Sequence, residues 1–204
     1  YSAHSPSPSQ SQQIIDTLDH VIQQRFHNVI GFGMARIVTE RKFAPENEEE
    51  KKAVRELRKA GLKVGLYLAG RGILEPVPEE HRVSKRTFGS VFPGQPLSGP
   101  IFVSSTDSKD LPTAKALWEP TRQAMLAFTG GSERYSFSVG EWAVEARPVR
   151  ASDQSCIKCH STDMRTELVD LGGGRTAFKT GPKGNTLQVG DPLGVLLYAY
   201  RQRR

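Results

Sequence analysis

Only two cysteines, three methionines and two tryptophans occur among 204 residues. So little cysteine excludes a disulfide-dense miniature, whose small core depends on several cross-links. No apolar run approaches the ~20 residues that cross a bilayer as a helix, which excludes an integral membrane chain as written. Aromatic residues are 8% of the total. None is interleaved with the basic clusters as a base-stacking surface requires, so nucleic acid is not an expected partner. Recognisable paired carboxylates, a Ser-His-Asp set and a phosphate-binding loop are missing too. No enzyme is expected, and there is no internal repeat.

What is present describes an ordinary folded domain. Hydrophobic residues make up 37% and charged residues 25%, which suits one compact unit of this length. Lys and Arg outnumber Asp and Glu by 28 to 22, a formal charge of +6. The excess gathers in Lys51–Lys63 and in Arg201-Gln202-Arg203-Arg204. A solvated helix face and a soluble tail account for both. The sequence begins at Tyr1 without an initiator Met, and no charged-then-apolar leader follows; it is read as a processed or truncated chain. Residues 1–12, rich in Ser, Pro and Gln, read as a flexible tether, with one domain over 13–204.

Hydrophobic periodicity predicts a helix from about Gln10 to Val29, with Ile14, Ile15, Leu18, Val21, Ile22, Phe26 and Val29 on one face. Met34–Val38 suggests a short strand. Asn47 is placed to cap a charged helix, Glu48 to Ala60, that stops at Gly61. Lys63–Ala69 reads as a strand. Gly70–Pro112 is rich in Gly, Pro and Ser, with a short strand at Ile101–Val103. Ala114–Phe128 is a second amphipathic helix, kinked or started near Pro120 and ended by Gly130-Gly131. Trp142, Val144 and Ala146 then alternate with Glu141, Ala143, Glu145 and Arg147, the pattern of a half-buried strand. Gly172–Gly174 and Gly181–Asn185 punctuate a loop, and Gly190-Asp191 reads as a turn. The closing run Gly194–Tyr200 is apolar on both faces and belongs inside a sheet. Helices first and strands later predict an α+β fold with an antiparallel sheet.

Both cysteines fall in one pentapeptide, Cys156-Ile157-Lys158-Cys159-His160. C-x-x-C-H is the attachment pattern of haem c. Two thiols on one helical turn can each add to a vinyl group of one haem, and the next residue brings an imidazole beneath the iron. The expected cofactor is therefore one covalent haem c, with Cys156 and Cys159 as attachment sites and His160 as proximal ligand. Two other chemistries use such thiols. A thioredoxin-like dithiol normally follows the first strand of an early βαβ unit, whereas this pair lies late in the chain. A zinc site would need histidines for both remaining ligands. Haem c attachment takes place outside the cytoplasm in bacteria, so a periplasmic or otherwise extracytoplasmic location is expected. No membrane association is expected beyond an anchor preceding Tyr1.

Trp142–Val149 leads into Ser155–Ser161, and Val189-Gly190-Asp191-Pro192-Leu193-Gly194-Val195 runs into the last strand. A strand ending in Pro, then C-x-x-C-H, a variable loop and G-D-x-x-G before a closing strand resembles the periplasmic PAS-like haem c domains. These occur as sensor input domains and as free-standing monohaem proteins. The resemblance covers roughly Glu141–Tyr200 and implies a PAS-like antiparallel sheet with N-terminal helices, carrying one haem c. It also implies a second axial ligand that varies among Met, His, Cys and water, and no spare Cys exists here. Met34, after Gly31-Phe32-Gly33, is one candidate. His20, His27 and His81 are others, and an open or water-filled face is the third choice. Met125 fits a core position, Met164 lies too near the proximal side, and His4 lies in the tether. Arg36, Arg147 and Arg150 are candidate partners for haem propionates. Electron transfer with an acidic redox partner is the leading function, with a haem-based redox or gas sensor as the alternative. Peroxidase-like turnover ranks last.

Overall fold

The computed structural model describes residues 8–27, 38–39, 42–74, 97–103, 110–154, 156 and 162–202. Helix α1 spans Pro8–His27. Its stripe of Ile15, Leu18, Val21 and Ile22 is buried, as 3.6-residue periodicity requires. The helix begins at Pro8, inside the stretch whose composition suggests a tether. Proline suits a first turn, where its missing N–H has no intrahelical partner.

Helix α2, Glu48–Lys59, starts where Asn47 predicts. The Asn47 side-chain oxygen accepts the Glu50 N–H at 2.9 Å, a cap worth about 1 kcal/mol. Helix α3 covers Ala114–Thr129, capped by Thr113, and runs through Pro120 rather than starting there. Pro120 withholds a donor from the preceding turn. One position on, the Thr121 hydroxyl donates to the Leu117 carbonyl at 2.6 Å.

The strands are β1 (Val38–Thr39), β2 (Lys42–Phe43), β3 (Leu62–Gly70), β4 (Leu97–Phe102), β5 (Tyr135–Val139), β6 (Trp142–Arg150), β7 (Thr162–Gly172), β8 (Arg175–Thr186) and β9 (Pro192–Gln202). Seven form one sheet in the order β1-β2-β4-β3-β9-β6-β5, and β7 and β8 form a separate ribbon. The α+β class holds, but the sheet is mixed rather than wholly antiparallel. β2 meets β4 in parallel at Lys42 and Phe102. Parallel neighbours need a long crossover, and here the chain passes through α2 and β3 between them.

β9 is apolar on both faces because both faces are covered. Leu196 and Tyr198 enter a core with α1 and α2, while Val195, Leu197 and Ala199 enter another with α3. Near the start of β9 the strands touch closely. A Cβ added to Gly194 would lie 2.8 Å from the Ala69 carbonyl oxygen on β3. Gly194→Ala is therefore expected to cost about 1–3 kcal/mol by forcing central strands apart, read as a lower urea midpoint.

β6 departs from the half-buried expectation. Trp142, Val144 and Ala146 are buried as predicted, yet Glu145 and Arg147 are only 6% exposed each. The polar side of α1 lies over them: Arg147 pairs with Asp16 at 2.6 Å and with Glu145 at 3.4 Å. Arg147 thus joins helix to sheet instead of facing solvent. The expected loop after residue 161 is also corrected. Gly172, Gly173 and Gly174, all at positive φ, make the tip of a hairpin, and Gly181–Asn185 lie within β8. β7 and β8 pair in antiparallel register despite their glycine content, Leu168 opposite Phe178 and Val169 opposite Ala177. No helix among the described residues is long and apolar enough to cross a membrane.

Candidate functional site

β6 ends at Arg150 and delivers the chain to the C-x-x-C-H segment. Arg150 fixes that exit. Its guanidinium donates to the Phe128, Ser132 and Gly190 carbonyls at 3.0, 2.8 and 3.0 Å, and to Glu133 at 2.9 Å. Those donors hold backbone in place, so Arg150 is a structural staple rather than a free cation. Ala151 is clamped next. Its N–H donates to the Asp191 carbonyl at 2.9 Å, and its carbonyl accepts the Gly190 N–H at 2.8 Å. Gly190-Asp191 is thus the predicted turn, with Gly190 at φ +95°, a conformation glycine adopts freely. Its role is to pin the start of the motif loop.

Gln154 and Cys156 have helical backbone, and Cys156 is half-buried. Its thiol is free and lies 3.7 Å from the Ser152 hydroxyl. Burial pushes the Cys156 thiol up. The backbone N–H groups of Asp153 and Ser152 and the Ser152 hydroxyl outweigh that, so the net direction is down. A lowered thiol pKa raises the fraction present as the nucleophilic thiolate. The donor chemistry at Cys156 therefore fits addition to a vinyl group. Cys159 and His160 lie outside the described residues, as do Met34, His81 and Arg36.

The described candidates separate clearly. Met125 is fully buried on α3, as a core residue. His20 is exposed and meets Gln24 of its own helix at 3.1 Å. His27 reaches across the fold instead: its Nδ1 lies 3.0 Å from the Ser152 Oγ, 125 positions away in sequence. Ser152 was not singled out by sequence, and nothing in a lone serine upstream of the motif would have marked it.

His27 ends a polar strip along α1. Asp16, Asp19, Gln23 and His27 share one helix face at helical spacing. Asp16 accepts from Arg147, and Asp19 accepts from the Tyr198 hydroxyl at 2.7 Å. Gln23 donates to the Pro148 carbonyl at 3.0 Å, and His27 meets Ser152. Burial raises the Asp19 carboxyl above its ordinary value, although Tyr198 and Gln23 hydrogen bonds oppose this. Tyr67, Tyr198 and Tyr200 pack in the sheet as expected, with the Tyr67 hydroxyl on the Pro112 carbonyl.

The basic clusters have separate fates. Lys52, Arg55 and Arg58 stand exposed on α2. Arg201 is half-buried, bridges Asp110 at 2.9 Å and Glu141 at 3.0 Å, and stacks over the Trp142 ring at 4.6 Å. It belongs to β9, paired with Lys63 of β3, not to a free tail. The chain matches no family model, no curated protein and no solved structure.

Proposed function

We propose that this chain is an extracytoplasmic monohaem c-type protein of PAS-like fold that transfers electrons. The observation that carries the reading is Cys156-Ile157-Lys158-Cys159-His160 placed directly after the clamped end of β6. Cys156 and Cys159 would hold the haem as thioethers, and His160 would bind its iron from below. Bound there, the haem supplies a one-electron couple. The chain's own residues fix the attachment loop: Arg150 and Ala151 lock its entry, and Ser152 orients the Cys156 sulfur.

The sheet supports the PAS-like part. Strands β4-β3-β9-β6-β5 set the last strand beside the first long one at the centre, with α3 joining the two wings. The exposed basic face of α2 suits an acidic redox partner through electrostatic steering. A sensor reading has one observation in its favour. The strip on α1 ends beside the attachment cysteine, so a change there has a helix to act on.

The two readings part on coordination of the ferrous protein. Electron transfer predicts a low-spin, six-coordinate spectrum in both redox states that carbon monoxide leaves unchanged. A five-coordinate or carbon monoxide-binding ferrous form would favour the sensor.

A further inference from the structure

We infer that β5 is a dimer seam, where a second copy of this chain adds its own β5 antiparallel about a two-fold axis at Phe137. The inference is independent of the haem reading. β5 closes one side of the seven-stranded sheet, and among the described residues it pairs with β6 alone. The opposite side ends in β1 and β2, of two residues each, too short to template another chain. β5 runs for five residues and pairs with β6 without a bulge. Its sequence, Tyr-Ser-Phe-Ser-Val, holds neither charge nor proline, the usual devices against edge pairing.

Backbone direction sets the register. The two-residue turn Gly140-Glu141 joins Val139 to its partner Trp142. Such a turn makes that pair the closing hydrogen-bonded one, and bonding alternates along an antiparallel ladder. Ser136 and Ser138 therefore turn their backbone N–H and C=O groups away from β6, toward the open edge. A two-fold axis at Phe137 sets Ser136 of each copy against Ser138 of the other. Each such pair can exchange two backbone hydrogen bonds.

The same register sorts the side chains. Tyr135, Phe137 and Val139 are half-buried against the core beside α3, and the two rings tilt together with centroids 6.1 Å apart. Ser136 and Ser138 are exposed on the other face. Pairing sets Phe137 against Phe137 across the axis and Tyr135 against Val139, a favourable cross-strand set. Moving the centre to Ser136 or Ser138 would instead set Glu133 opposite Val139 or Tyr135 opposite Glu141. The flanking charges are each held within their own chain, Glu133 by Arg150, Arg134 by Asp16 and Glu141 by Arg201. A strand that alternates alike in both directions suits a copy of itself, because a two-fold contact must be self-complementary.

Sedimentation equilibrium and amide hydrogen exchange of the full chain test this. The wild type should sediment at twice the chain mass when concentrated and dissociate on dilution, since so short a seam is reversible. The Ser136 and Ser138 amides should be protected in the dimer and lose that protection on dilution. Ser138→Pro removes one outward donor while sparing the β6 ladder, and should sediment as a monomer. A dimer that survives Ser138→Pro overturns the assignment. So does a wild-type dimer whose dissociation leaves the exchange of those two amides unchanged, a result that stands even if the variant fails to fold. A wild type that is monomeric at every concentration overturns it as well. Protected amides would then show that another part of the chain covers the edge, and fast exchange that the edge stays open.

Discussion

Changing Cys156 and Cys159 together to serine is expected to abolish covalent haem while leaving the fold intact. Both effects follow from where the motif sits. Cys156 is half-buried in the loop after β6, outside the two hydrophobic cores that flank β9. The clamps on that loop are backbone bonds at Ala151 and the Arg150 guanidinium, none of which uses a sulfur. Serine keeps a polar atom of similar size, but its hydroxyl is far less nucleophilic than a thiolate. Far-UV circular dichroism and urea melts of apoprotein should therefore coincide with those of the unmodified chain. The covalent haem signal in a denaturing gel should fall to background. A variant retaining that signal would show that attachment occurs elsewhere.

Arg25→Ala is expected to cost the most stability of any single side chain discussed, about 3–5 kcal/mol. Arg25 and Glu50 are 6% and 2% exposed and form a two-pronged pair joining α1 to α2, with Nε on Oε1 at 2.7 Å. Arg25 Nη2 also donates to the Ala44 carbonyl at 2.7 Å, and its guanidinium lies 4.6 Å above the Phe43 ring. Truncating Arg25 leaves the Glu50 carboxylate buried without its cation. Burial alone pushes Glu50 up, but hydrogen bonds from Arg25 and from the Glu46 and Asn47 backbone bring it below its ordinary value.

The sign of the pH dependence follows. A carboxyl whose folded pKa lies below its unfolded one, about 4.3, stabilises the fold above that unfolded value. The contribution is lost as pH falls through the lower folded value. In Arg25→Ala the Glu50 carboxyl should instead be raised, so acid partly restores stability. Urea midpoints at neutral and mildly acidic pH measure this. A variant whose acid-side decline matches the wild type would contradict the assignment.

Legibility in the sequence followed the reach of each signal. α2 was readable because Asn47 and the glutamates of its first turn act within a few residues. β9 was readable because burial on both faces leaves a continuous apolar run. β6 is legible on one face only, since Glu145 and Arg147 look solvent-facing until the polar strip of α1 is laid over them. Two-residue β2 carries no period, so its parallel pairing was invisible. The β7–β8 ribbon was hidden by glycine and proline, whose backbone freedom reads as loop whether or not a partner strand lies beside them. At the candidate site, C-x-x-C-H is a local spacing and was legible at once. The approach of His27 to Ser152 joins positions 125 apart and became visible only once α1 had been placed on the sheet.

Intact-mass spectrometry of the full chain, produced with export to a bacterial periplasm and unfolded in acid, reaches the heart of the account. The expected spectrum shows one species heavier than the polypeptide by a single haem. Peptide mapping should place the added mass on the fragment that holds Cys156 and Cys159. A chain of bare polypeptide mass, with those two sulfurs free or joined to each other, would contradict it.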